Sequence, residues 1–324
     1  MERKMMQRSH HSLPHPPVKI VVVGSINCDI TTYVNAFPKA HETVMAERTA
    51  VSVGGKGLNQ AVAAARAGAE VAMVGCVGAD QFGRQAMNYL KSNGVSVDHV
   101  SVIGEVTTGT ASIFVTRSGE NMIAVAQGAN SMLGRKQVEA AYQLISSADV
   151  LVVQLETSLE SVRAALELAK ARGVKTIFNP APADPKATAL LSLVDIVTPN
   201  ETETEALVGV YPDSAEATEK AIQAFHKLGT DGVIITKGED GCAISIKGHR
   251  LGIETFEVDL VDPTGAGDVF NGVFAVGLAR KLTLEEAARI ASAAAAISVT
   301  RPMAEGAAPF THEIDEFMAK HDKM

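Results

Sequence analysis

The sequence predicts an α/β fold: a mostly parallel central sheet flanked by helices, with a small β-sheet lid over one end. Three observations predict it. Short β-branched runs alternate with amphipathic helical stretches, two segments interrupt that alternation with hairpin-like patterns, and the final third is helical and alanine-rich. The alternation starts at Val18–Gly24 (VKIVVVG), an unbroken apolar run ending in glycine, which reads as a strand buried on both faces. Val71–Val77 precedes a helix over Gln81–Asn93. Val150–Gln154 precedes a helix over Leu159–Arg172, and Val174–Asn179 follows it. Ile196–Thr198 leads into a helix from Glu201, and Val233–Thr236 ends at Lys237-Gly238. Helices over Gly265–Arg280, Leu284–Thr300 and His312–His321 complete the chain, their small side chains permitting close packing.

The interruptions lie at about 29–53 and 108–126. In the second, Thr110–Val115, the turn Ser118-Gly119-Glu120-Asn121 and Met122–Val125 form a hairpin pattern. Excursions inserted at the carboxyl ends of core strands lie over the crevice where α/β proteins bind ligands, so a lid is expected. The domain is read as 18–324, with 1–17 a flexible extension. His10, His11 and His15 in that extension have no cysteine or acidic residue at ligand spacing and are not read as a metal site.

Composition bounds the function. With 46% hydrophobic residues the chain has ample core material, but aromatics are only 4% and Trp is absent, so the core is built from Ala, Val, Ile and Leu. A formal net charge of −8 disfavours non-specific binding to nucleic acid or to anionic membrane surfaces. The longest apolar stretches fall far short of the ~20 residues of a membrane helix. Cys28, Cys76 and Cys242 are odd in number and widely spaced, which points to a reducing compartment, the cytoplasm.

The sharpest motif is Asp262-Pro263-Thr264-Gly265-Ala266-Gly267-Asp268. Its glycines let backbone N–H groups converge at a helix start, where the helix dipole adds positive potential. That combination stabilises an anion and the charge developing in phosphoryl transfer. Asp268, in the first helical turn, is placed to accept a proton from a hydroxyl; a tight turn capped by an aspartate is the alternative. A dinucleotide fingerprint is not met, because Phe270 occupies the third glycine position, and no GxxxxGK[ST] loop occurs. Gly54-Gly55-Lys56-Gly57 with Asn59 opens a helix read over Gln60–Ala67. Asn27 and Asp29 flank Cys28 at the end of the first strand and point the same way, as two groups gripping neighbouring hydroxyls would; taken alone, such a feature is more often a turn or cap. Asn200 and Glu203 suit either a water-mediated Mg²⁺ shell or a capping box. Glu156, after Leu151–Leu155, is ambiguous alone.

In this order the motifs resemble the ribokinase (PfkB) family of carbohydrate kinases, over about Val18 to Phe317. The resemblance rests on Gly24-Ser25-Ile26-Asn27-Cys28-Asp29, Gly54–Ala61, Gln154-Leu155-Glu156, Asn179–Ala183, Pro199–Glu203 and Asp262–Asp268. It implies a ribokinase-like fold and transfer of the ATP γ-phosphoryl group to a sugar's primary hydroxyl, the 5-hydroxyl if the sugar is D-ribose. Asp268 would be the general base, and Gly265, Ala266 and Gly267 the anion hole. Asn27, Asp29, Gly54, Gly55, Lys56, Gly57, Asn59 and Glu156 would hold the sugar, with Ala111, Ile113 and Val125 as lid residues against its apolar face. Asn200, Thr236, Lys237, Gly238, Gly241, Gly267 and Ser292 would serve the nucleotide. Asn200 and Glu203 would organise Mg²⁺ through waters, and Asp262, Thr264, Ser298, Arg301, Met303 and Ala307 would hold a monovalent cation, K⁺. Pairing of lid sheets would make a homodimer.

The chain departs from the family pattern at His41, where the family usually has Gly, and in Arg301–Ala307, where Met303 stands for Gly and Ala307 for Ser. The alternatives are a 2-deoxyribokinase or another pentose or nucleoside kinase of the same family and, from another class, a non-catalytic sugar-sensing protein; a dinucleotide-dependent oxidoreductase is disfavoured by the missing glycine.

Overall fold

A computed structural model of the chain describes residues 17–246, 248–302 and 305–321. The expected extension, apart from Pro17, and Met303 lie outside the described residues. Along the chain the strands are β1 (Lys19–Val23), β2 (Asn27–Val34), β3 (Arg48–Gly54), β4 (Glu70–Gly78), β5 (Val95–Ile103), β6 (Gly109–Thr116) and β7 (Asn121–Ala126). They continue with β8 (Val150–Val153), β9 (Lys175–Phe178), β10 (Ile196–Val197), β11 (Gly232–Thr236), β12 (Cys242–Ile246) and β13 (His249–Ile253). The first helices are α1 (Lys56–Arg66), α2 (Gln81–Ser92), α3 (Arg135–Ala140), α4 (Tyr142–Ser146) and α5 (Leu159–Arg172). The remainder are α6 (Glu201–Val208), α7 (Ala215–Lys227), α8 (Ala266–Ala279), α9 (Leu284–Val299) and α10 (Thr311–His321).

The main sheet runs β13-β12-β11-β10-β9-β8-β1-β4-β5, parallel from β5 to β11 and antiparallel at β11–β12–β13. Alternation along each strand sorts the core into two layers. Ile20 and Val22 of β1, Val152 of β8 and Ile177 of β9 pack under α1, α8 and α9. Val21, Val23, Leu151 and Phe178 pack on the other face against α5 and α7. Both faces are covered, which is why these strands read as unbroken apolar runs.

The second sheet, β3-β2-β6-β7, is built from the two excursions. β2 pairs antiparallel with β3 and parallel with β6, and β6 forms the expected hairpin with β7. The Arg117–Glu47 ion pair joins the two excursions at 2.5 Å. His41 takes φ 65°, the left-handed conformation that glycine adopts without strain, so the chain keeps a glycine-like turn there.

Two sequence expectations are corrected. Asn27 and Asp29 do not end the first strand; they open β2, because the backbone turns at Gly24–Ile26 into the second sheet. α1 begins at Lys56, four residues before the expected Gln60. Its first turn contains Gly57, which propensity disfavours, but a Cβ there would lie 2.6 Å from Ser25 N. Tertiary packing therefore requires glycine inside the helix.

Candidate active site

β1 lies between β8 and β4, and the chain leaves it for β4 on one side and returns to β8 on the other. The crevice at the carboxyl ends of such strands is where side chains and loops from both directions converge. Gly55, the N-cap of α1, has φ 95°, and a Cβ there would lie 2.8 Å from Asn27 N. Only glycine lets the start of α1 lie flat against the β1–β2 turn. One oxygen of Glu156 then gathers three segments: its Oε2 accepts from Ser25 Oγ at 2.5 Å, from Lys56 N at 3.1 Å and from Asn27 Nδ2 at 3.5 Å. Asp29 packs its carboxylate on Gly54, where a Cβ would overlap it. Across the second sheet Asp29 registers with Ala111, and Ala111 with Val125; Thr31, the next residue on that face, registers with Ile113. Asp29, Ala111, Ile113 and Val125 therefore share one face of the sheet.

Asp268 closes the other wall. Gly265 caps α8 with φ 81°, and Asp268 sits in the first turn. Its Oδ2 accepts from Asn59 Nδ2 at 3.1 Å and its Oδ1 from Gln60 Nε2 at 2.9 Å. α8 reaches α1 this closely because Gly272 lacks a side chain; a Cβ there would lie 2.5 Å from Gln60 O. A Cβ on Gly267, by contrast, meets no heavy atom within 4 Å, so the space it faces is open.

The electrostatics follow from crowding carboxylates around one cation. Burial, with Glu156, Asp268 and Glu305 nearby, pushes the Asp29 carboxyl up to about 7. Burial pulls the Lys56 ammonium down, but the carboxylates of Asp268, Glu156 and Glu203 outweigh it and raise its pKa above the usual lysine value. Burial raises Glu203, against the opposing pull of the Asn200 amide and Lys56. Lys56 thus stands between the carboxylates of Asp268 and Glu156 and the Asn200–Glu203 corner.

That corner is a capping box: Glu203 N donates to Asn200 Oδ1 at 2.8 Å and Asn200 N to Glu203 Oε2 at 2.9 Å. Thr236 N donates to Pro199 O at 2.9 Å, which brings the end of β11 beside it. The loop Lys237–Gly241 turns through Gly238 (φ 53°) and Gly241 (φ 78°). The Lys237 ammonium donates to Thr218 Oγ1 at 2.6 Å, so it is engaged with α7. Ser292 hydrogen-bonds Cys242, whose thiol burial pushes up to about 12. Near α8, Val261 N and Asp262 N both donate to Val299 O, at 2.8 and 3.0 Å, and Thr264 N to Asp262 Oδ1 at 2.9 Å. Asp262, Thr264, Ser298 and Arg301 are thus neighbours, whereas the Ala307 carbonyl accepts from Arg301 Nη1 at 3.2 Å.

Three residues that sequence reasoning assigned no role complete the site. Asn130, 1% exposed, accepts from Ile26 N through Oδ1 and donates through Nδ2 to Ile26 O and to Asn27 Oδ1 (2.9, 3.2 and 2.7 Å), fixing Asn27 with its NH₂ toward Glu156. Ser25 steers Glu156. Glu305 accepts from Val53 N at 3.1 Å, tying the loop after α9 to β3. Their partners lie 104, 131 and 252 residues away, so no local pattern signals them.

A doubly wound sheet whose crevice joins a glycine-capped helix start, the Asp268 carboxylate and a row of buried or half-buried hydrogen-bonding side chains is an arrangement suited to a phosphotransferase acting on an alcohol. The sequence profile described as "pfkB family carbohydrate kinase" matches residues 18–310. The chain is 43% identical over 299 residues to the ribokinase of Haemophilus influenzae, covering 92% of this chain and 98% of the relative. It is 33% identical over 304 residues to a deoxyribokinase of Salmonella typhi, covering 94% and 99%. Arabidopsis thaliana ribokinase, solved with ribose and ATP, superposes with TM-score 0.89 at 30% identity, covering 93% of this chain and 99% of that one. The chain belongs to the pfkB family of carbohydrate kinases.

Proposed function

We propose that this kinase transfers the γ-phosphoryl group of ATP to the 5-hydroxyl of D-ribose, giving ribose 5-phosphate and ADP. The observation that carries the reading is the placement of Asp268: a carboxylate at the amino end of α8, held by Asn59 and Gln60, facing the same crevice as Asn27, Asp29, Lys56 and Glu156. Asp268 takes the hydroxyl proton as the sugar oxygen bonds to the γ-phosphorus, and the bond from that phosphorus to the β–γ bridging oxygen breaks, releasing ADP. The backbone amides at Gly265, Ala266 and Gly267 receive the equatorial charge of the transition state, so positioning and electrostatics supply most of the rate. Asn27 offers donors, since Asn130 occupies its carbonyl oxygen, while Asp29 and the free oxygen of Glu156 offer acceptors. Ala111, Ile113 and Val125 form the apolar side of the sugar pocket, and the second sheet acts as its lid. Relatives of both ribose and deoxyribose specificity match the chain; the higher identity to the H. influenzae ribokinase favours ribose.

Thr236, Gly238, Gly241 and Ser292 serve the nucleotide, with Asn200 and Gly267 on the phosphate side. Lys237, held on Thr218, contributes through its backbone. Asn200 and Glu203 fit a magnesium ion that arrives on the nucleotide and is reached through water. Both are oxygen donors, and among the described residues no cluster of three His, Cys, Asp or Glu holds an ion directly. When bound, that ion neutralises phosphate charge. Asp262, Thr264, Ser298 and Arg301 form the monovalent-cation site of the same reading; the Ala307 carbonyl is already opposed by the Arg301 guanidinium. Among the described residues no helix is long and apolar enough to cross a membrane, and a cytoplasmic homodimer joined through the lid sheets completes the proposal. The test is a coupled ADP-release panel of ribose, 2-deoxyribose, fructose and nucleosides, with and without K⁺. Preference for ribose is expected; preference for the deoxy sugar, or tight sugar binding without turnover, overturns it.

A further inference from the structure

Behind Asp268 lies a chain of buried amides, of which the reaction as described uses only the contact from Gln60. Gln60 and Gln154 are both 0% exposed. Gln60 Nε2 donates to Asp268 Oδ1 at 2.9 Å and to Asn179 Oδ1 at 3.1 Å, and Gln60 Oε1 accepts from Gln154 Nε2 at 2.7 Å. Asn179 Nδ2 in turn donates to Thr198 O at 3.2 Å.

The direction of this chain is set at one end. An ionised carboxylate only accepts hydrogen bonds, so Gln60 must present its NH₂ to Asp268. Its oxygen then faces Gln154, which must present its own NH₂. The cost falls at the far end, where Gln154 Oε1 is buried without a hydrogen-bond partner, packed against Gly24. A buried unpaired acceptor is uncommon in a folded protein and costs stability. Reversing the amides would satisfy that oxygen only by turning an acceptor toward the carboxylate.

Resting on Asp268 as the base, we propose that Gln60, held by Gln154, is a positioning residue that dedicates one carboxylate oxygen to the interior and leaves the other for the sugar. Oδ1 is engaged by a fully buried donor. Oδ2, bonded to the partly exposed Asn59, keeps a lone pair toward the crevice and is the oxygen that takes the proton.

The test uses the full-length enzyme with ribose and MgATP. Gln60→Glu is isosteric and sets a second carboxylate against Asp268. The acid limb of its kcat–pH profile is expected to move up by about one unit or more, since like charge favours protonation of the pair. At neutral pH kcat should fall about tenfold to a hundredfold, with the ribose and ATP KM values within about threefold of wild type. Gln154→Met, which does not touch Asp268, should lower kcat by about threefold to tenfold with the same pattern in KM, and carries the test if Gln60→Glu does not fold. A Gln60→Glu profile superimposable on wild type, or a Gln154→Met variant with unchanged kcat, overturns the proposal. Asp268→Asn, measured alongside, separates the two readings: normal turnover there removes the base itself, whereas an inactive Asp268→Asn with an unaffected Gln60→Glu removes only the role of Gln60.

Discussion

Gly267→Ala should push stability and activity in opposite directions. Gly267 is in the first turn of α8, and an added Cβ meets no heavy atom within 4 Å. The folded protein therefore accepts alanine without repacking. Replacing glycine by alanine in a helix gains at most about 1 kcal/mol. At ~2.1 cal/mol/K per residue, unfolding a chain of 324 residues carries an entropy near 0.7 kcal/mol/K, so Tm should rise by roughly 1 °C. The same methyl projects into open space beside the amides proposed to receive the migrating phosphoryl group. Displacing that group by about 1 Å costs on the order of a hundredfold in rate. The assay is coupled ADP release with ribose, run beside thermal unfolding. A kcat equal to wild type would show that no reacting group uses this space, and a Tm several degrees lower would show that the glycine serves the fold instead.

Two further outcomes follow from the same geometry. Because the folded-state pKa of Asp29 is raised to about 7 from 3.8, the folded protein binds a proton there that the unfolded chain has released, and its stability falls as pH rises from 3.8 to about 7 and levels off above. Asp29→Asn should therefore raise Tm at pH 8 more than at pH 5.5, where only part of the cost has accumulated, while abolishing the rise in ribose kcat/KM between those values; a Tm gain equal at both pH values contradicts the shift. Asn130→Leu removes three hydrogen bonds and frees Asn27. At about 1 kcal/mol per bond, it should destabilise the protein by about 3 kcal/mol and raise the ribose KM more than the ATP KM; equal effects on both would confine Asn130 to the fold.

What the sequence disclosed depended on whether the signal was local. β1, α5, α8 and the β6–β7 hairpin were legible because period, breakers and apolar runs lie within each segment. The early start of α1 was not, since Gly57 disfavours a helix until its close approach to Ser25 is known. β5 and the antiparallel edge at β12–β13 also went unread, being mixed in polarity. In the site, the glycine-flanked Asp268 and the Gly54–Asn59 cluster stood out because backbone demands concentrate there. Asn130, Ser25 and Gln60 did not, since each is an ordinary polar residue until folding sets it against a partner far away in the chain.

Turnover of Asp268→Asn with ribose and MgATP, measured with binding of each by calorimetry, tests the central claim most directly. Both ligands should bind with affinities near those of wild type while ADP release falls by several orders of magnitude. Turnover close to wild type would show that another group removes the hydroxyl proton.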